Sequence, residues 1–127
     1  HCHGGINFSN SEFINNGLDA QGTHQHLGRF VVTGNDEDLG RFKVTSLRNI
    51  ALTAPYMHDG RFNTLEEVLD HYDHGLQASS TLDPALAATM STGLMLTDQD
   101  KTDLIAFMIT LTDVELTTET AFASPFE

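Results

Sequence analysis

The single cysteine of the chain, Cys2, is followed at once by His3, and that pair has a specific chemical use. In the sequence C-x-x-C-H, two thiols add across the vinyl groups of haem and the adjacent histidine takes the iron from one side. Cys2-His3 reads as the second half of such a sequence. The first cysteine would fall two residues before His1, so a fragment of a longer protein is expected. Taken alone, the dipeptide is a weak signal that chance produces often. His1, Cys2 and His3 could also hold a transition metal, although three successive residues converge awkwardly on one ion. One cysteine excludes an internal disulfide framework.

A second group of candidate ligands lies in the stretch from Arg41 to Gly75. Met57 and His58 are both able to bind iron opposite His3: a thioether would give a higher potential, a second imidazole a lower one. Tyr72 shares a helical face with Leu65, Val68 and Leu69, so it points inward, and a buried phenol needs a hydrogen-bond partner or a ligand. Asp70, His71 and Asp73 lie off that stripe. His71 and His74, three apart, could share a metal, as could His24 and His26 if extended. Solvated side chains are the expectation for all four, a protonated imidazole being favoured near a helix C-terminus. Met90 and Met95 are chemically capable ligands too, but with Leu94 they are expected to line the core.

These residues need elements to hold them. Ile6, Phe8, Phe13 and Ile14 suit a short helix stopped by Asn15-Asn16-Gly17. Residues 17–40, rich in Gly, Asp, Asn and Gln, read as an irregular loop in which Phe30-Val31-Val32 could form a short strand. Ser46 to Ile50 suits a turn or two of helix. Thr64-Leu65-Glu66-Glu67 has the form of a capping box, and Gly75 offers a left-handed stop. Asp83-Pro84 starts a short helix through Met90. Thr97 caps a longer one through Leu111, with Asp98 and Asp100 in its first turn and Leu104, Ile105, Phe107, Met108 and Leu111 on its apolar face. From Asp113 to Glu127 no core-forming pattern remains, and a surface-wrapping, partly disordered tail is expected.

A chain of 127 residues is one domain's worth. Its apolar fraction of 39% is slightly low for a globular domain, which suggests a modest core or one completed by something else. The net charge of −12 argues against nucleic acid or an anionic membrane as partner, and suits a cationic protein such as a basic redox carrier. No apolar run is long enough to cross a bilayer as a helix.

The combination of CHGG at the start, GRFVVTG, DLGRFKVTSLRNIALTAPYMHDGRFNTLEEV, HYDHG and a closing LTDQDKTDLIAFMITLTD resembles the C-terminal haem domain of the bacterial di-haem cytochrome c peroxidases, and especially their MauG-like branch. The resemblance covers nearly the whole chain. It implies one cytochrome c-type domain over residues 1–127, mainly α with long irregular loops around a single haem c. It further implies His3 as proximal iron ligand, Cys2 as thioether attachment, Arg48 pairing with a propionate, and Tyr72 as distal ligand where most relatives carry Met. Met57 stays open as the alternative. Calcium is implied at the backbone carbonyls of Thr53 and Pro55, completed by a side chain of an N-terminal haem domain. Thr45 departs from the family's more usual proline. In the intact enzyme the peroxide-reducing haem belongs to the N-terminal domain, so this fragment carries no catalytic residue of its own. The implied partners are that domain, a small electron-donor protein and hydrogen peroxide, and the implied location is the periplasm. Two alternatives stand beside this reading: a stand-alone mono-haem electron carrier, and a haem-free domain with adventitious metal at its histidines.

Overall fold

The structure is a computed structural model that describes residues 2–123 and 126. His1 and three residues of the tail lie outside the described residues, and with His1 goes one member of the alternative three-residue metal site at the terminus.

The first segment does not form the expected helix. Residues 2–8 are a series of turns, with Gly5 and Phe8 both left-handed at φ 70° and 49°. The side chains of Ser9 and Asn10 then accept from the amides two residues on, at 3.3 and 3.0 Å, satisfying the backbone locally instead of in a helical ladder. The next element is a strand, β1 (Phe13–Ile14), pairing antiparallel with β2 (Phe42–Lys43) in the register Phe13↔Lys43 and Ile14↔Phe42.

Between them the expected strand at Phe30-Val31-Val32 is one helical turn, α1 (Phe30–Thr33). Gly34 at φ 65° closes it by donating to Phe30 O at 2.8 Å. With no neighbouring strand to pair with, β-branched side chains alone do not hold an extended segment. Further pairing comes from single bridges: Gly28 to Arg41, Asn15 to Leu82 and Tyr56 to Phe62. Gly28 is obligatory here, because at φ 62° any Cβ would run into the Arg41 carbonyl. The helix expected over Ser46–Ile50 is displaced to a 3₁₀ turn at Ile50–Leu52, entered through a left-handed Asn49.

The second half keeps closer to its sequence signals. Thr64 Oγ1 accepts from the Glu67 amide at 3.2 Å and the Glu67 carboxylate accepts from the Thr64 amide at 3.1 Å, closing the capping box of α2 (Leu65–Asp70). The chain then widens into a π turn over His71–Gly75. That extra residue per turn rotates the side chains away from the 3.6-residue stripe. His71 and Asp73 become buried, and Tyr72 is half-buried. Gly75 ends the turn, but not in the left-handed region: a Cβ there would press to 3.3 Å from His71 Nδ1. α3 (Pro84–Ala87) is capped by Asp83, which accepts from Ala85 N at 2.9 Å, and ends before Met90.

The one long helix among the described residues is α4 (Asp98–Thr110), opened by a second capping box between Thr97 and Asp100. Lys101 on it reaches across to Asp70 at 2.7 Å and Asp73 at 3.2 Å. Burial pushes the Asp73 carboxyl up, but the Leu96 amide, Lys101 and His74 outweigh it and hold the group below its usual range. The core is Tyr56, Leu65 and Met108, ringed by Ile50, Phe62, Val68, Leu69 and Ile105. No large side chain among the described residues falls below 2% exposure. Met90, Leu94 and Met95 are exposed instead of lining that core, and α4 leaves Leu104 and Phe107 open to solvent. Since only α4 exceeds two turns, the expectation of a mainly α domain holds in part: the loops are the larger share.

Candidate functional site

The N-terminal turn is shaped around His3. Its Nδ1 lies 3.2 Å from the Phe8 carbonyl, the second-sphere arrangement that fixes an imidazole and leaves Nε2 for a ligand. The left-handed Phe8 places its ring edge-on to Phe107 of α4, with centroids 5.9 Å apart. Arg48 closes the same turn: Nη2 and Nε donate to the Ile6 carbonyl at 2.6 and 3.2 Å, and Ser46 Oγ donates to Asn7 O. Arg48 has its guanidinium 5.9 Å from the Phe8 ring centre.

Asn16 gathers two of the other candidate ligands. Its side-chain Nδ2 donates to Tyr72 Oη and to Met57 Sδ, each at 3.4 Å. Met57 holds that position from a left-handed backbone at φ 72°. The carbonyl of Asn16 accepts from His71 Nε2 at 2.9 Å, which fixes the Nε2–H tautomer of the buried imidazole. His71 also sits edge-on to Tyr72, centroids 5.3 Å apart, and tilts against Phe62. Burial pushes the His71 pKa down, against the pull of the Asn16 hydrogen bond, and Arg61 adds to the lowering. Burial pushes the Tyr72 phenol up, and the Asn16 amide opposes it.

His58 lies elsewhere, stacked flat on Phe42 at 3.6 Å and 7° and edge-on to His26 at 5.3 Å. Burial lowers its pKa, with Asp59 pulling the other way. Asp59 accepts from Arg61 Nε at 2.8 Å, and the same guanidinium donates to Asp19 and to the Leu18 carbonyl. That hydrogen bond holds the Asp59 carboxyl below its usual range. Thr53 and Pro55 are exposed, and among the described residues neither carbonyl accepts a hydrogen bond.

No protein-family model matches the chain. Individual relatives do. Cytochrome-c peroxidase IdrP1 of Pseudomonas sp. (strain SCT) is 43% identical over 81 residues, which is 64% of this chain and 20% of that protein. Methylamine utilization protein MauG of Methylorubrum extorquens is 36% identical over 110 residues, 87% of this chain and 30% of that protein. Among solved structures, a MauG-like protein associated with microbial copper homeostasis superposes on 100% of this chain and 43% of its own, with a TM-score of 0.82 at 36% identity. The chain belongs to the cytochrome c peroxidase and MauG-like family. It has the family's cytochrome c fold but spans only between a fifth and about a third of the curated relatives it matches.

For a chain of this family, the placement of the expected residues divides three ways. Tyr72 and Met57 are brought together on Asn16, while Cys2 and His3 lie in the N-terminal turns. Arg48 braces the His3 turn through a backbone carbonyl, while Thr53 and Pro55 sit apart on the surface. The four histidines expected in solvent separate: His26 and His74 are exposed, His24 is half-buried with its Nε2 enclosed and unpartnered among the described residues, and His71 is buried. Sequence reading missed the role of Asn16, which stands there as part of a helix stop, and it missed Arg61. Nothing local marks Asn16, since its three partners lie more than 40 residues away. For His71, Gly75 four residues on was the available signal.

Proposed function

We propose that this chain is the haem c-binding, electron-transferring domain of a di-haem peroxidase-like oxidoreductase. The observation that carries the reading is that one amide, Asn16, holds the Tyr72 hydroxyl and the Met57 thioether together, while the N-terminal turn fixes His3 through Nδ1. The residues fit a haem. His3 is held at Nδ1 as a metal-binding imidazole is, and the core lacks any fully buried large side chain among the described residues, while Leu104, Phe107, Leu94 and Met95 remain uncovered. Cys2 would supply the thioether, His3 the proximal nitrogen, Tyr72 the distal oxygen and Arg48 a partner for a propionate.

Bound haem would supply one-electron storage and transfer. Tyr72 would act as an anionic oxygen that favours the ferric state, and so must lose the proton that burial strengthens; a cation at its oxygen reverses that balance. Asn16 would orient the phenol by donating to its oxygen, and Met57 remains the alternative ligand on the same donor. In the larger protein, the partners proposed are an N-terminal haem domain, a small electron-donor protein and hydrogen peroxide, consumed directly or used to oxidise a protein substrate, in the periplasm. Calcium is proposed at the Thr53 and Pro55 carbonyls, hard oxygen ligands of the type that ion takes.

The test is the absorption spectrum of the purified chain, oxidised and reduced, with a haem stain on a denaturing gel. A Soret band and stain at the chain's mass are expected, with little peroxide turnover by the chain alone. Tyr72→Phe should keep the stain and change the ferric spectrum. A colourless chain, or a Tyr72→Phe spectrum identical to the parent's, overturns the reading or its distal ligand respectively.

A further inference from the structure

His26, His58 and Asp59 come from two loops separated by more than 30 residues, yet one ligand atom of each lies within 4.8 Å of the others. We propose that these three side chains form a binding site for a borderline divalent cation of the zinc type, distinct from the Cys2, His3 and Tyr72 set.

The donor set is two imidazole nitrogens and one carboxylate oxygen, a combination that leaves a position for water in a tetrahedral site. Bonds of about 2.0–2.1 Å would bring donor atoms to about 3.3 Å from one another, so the cluster has only to contract. Two of its members are already fixed. His58 lies flat on Phe42 of β2, and Asp59 is tied by Arg61, which Asp19 and the Leu18 carbonyl hold in turn. Such outer contacts orient ligands: both guanidinium contacts fall on Asp59 Oδ2, and Oδ1 accepts only the Arg61 amide at 3.2 Å, which leaves one Oδ1 lone pair for a metal. His26 is the adjustable member. It is exposed, and no hydrogen bond ties its ring among the described residues, so the ring can swing toward the other two. Arg61 is the cation beside the site. Its charge is offset by two carboxylates, Asp59 at 2.6 Å and Asp19 at 2.8 Å, which leaves the group net negative before any metal arrives. His24, two residues from His26, turns the other way against Gly40 and takes no part.

The experiment is Zn²⁺ titrated into the full chain by calorimetry, paired with zinc-edge anomalous diffraction from soaked crystals. His26→Ala is the test variant, since its exposed ring leaves the core untouched, and His74→Ala is the control for a histidine elsewhere. The expectation is an anomalous peak between His26, His58 and Asp59, unchanged affinity in His74→Ala, and affinity at least about tenfold weaker in His26→Ala. A peak confined to Cys2 and His3, or a His26→Ala titration that superimposes on the parent's, overturns the proposal.

Discussion

Asn16 is the residue on which the candidate site turns, because a single amide serves a phenol, a thioether and, through its backbone carbonyl, an imidazole. Burial, which outweighs that carbonyl's hydrogen bond, makes His71 a pH-sensitive support. Its folded pKa is depressed below the ordinary value of about 6.5, so between the two values the unfolded chain binds more protons than the folded one. The stability His71 contributes is therefore fully present above about pH 6.5 and is lost as pH falls through the folded value. His71→Gln keeps a donor for the Asn16 carbonyl without a titrating ring. Urea midpoints measured from about pH 7.5 downward should fall more steeply in the parent than in the variant, with the gap opening below about pH 6.5. Parallel curves would mean that the buried imidazole is not what senses acid. Sequence could not have foretold this. It placed His71 off the apolar stripe on a 3.6-residue count, and the π turn changed the count.

At the scale of elements, the legible parts were those whose hydrogen bonds close within a few residues. The capping box at Thr64, the cap at Thr97 and the Asp83-Pro84 start are present as their residue types implied. The illegible parts depend on distant partners. β1 exists because Phe42 and Lys43 arrive beside it, and α1 coils because no strand does. Local chemistry strong enough to read should also be strong enough to measure. Thr64→Ala removes the hydroxyl that satisfies the Glu67 amide, and a cap of this kind is worth about 1 kcal/mol. The loss should appear as a lower urea midpoint with an unchanged slope, since the surface exposed on unfolding stays the same. A changed slope would mean instead that α2, which carries Leu65 into the core, no longer forms.

At the scale of the whole molecule, the low apolar fraction and the loosely enclosed core have one cause. Sequence composition suggested a core completed by something else, and the exposed apolar side chains Phe107 at 47% exposure, Leu104 at 39% and Met95 at 76% mark a candidate gap, with Phe107 against the turn that carries Cys2 and His3. Composition could not show that Phe107 meets the turn that carries His3, because an irregular turn, not a regular element, brings Phe8 to it. Covering those partly exposed side chains would contribute on the order of 3 kcal/mol, at about half of the ~2 kcal/mol for full burial of each. A cofactor that fills the gap should therefore stabilise the molecule unevenly. Amide exchange compared between haem-carrying and haem-free chain should show slowing over residues 2–8, 57–58, 72–74, 94–96 and 104–111. The β1–β2 pair and the Asn15–Thr81 contact, held by their own hydrogen bonds, should change little. Slowing spread evenly over the chain would instead mean that the haem-free domain is globally unfolded, and that the apolar gap is not a preformed seat.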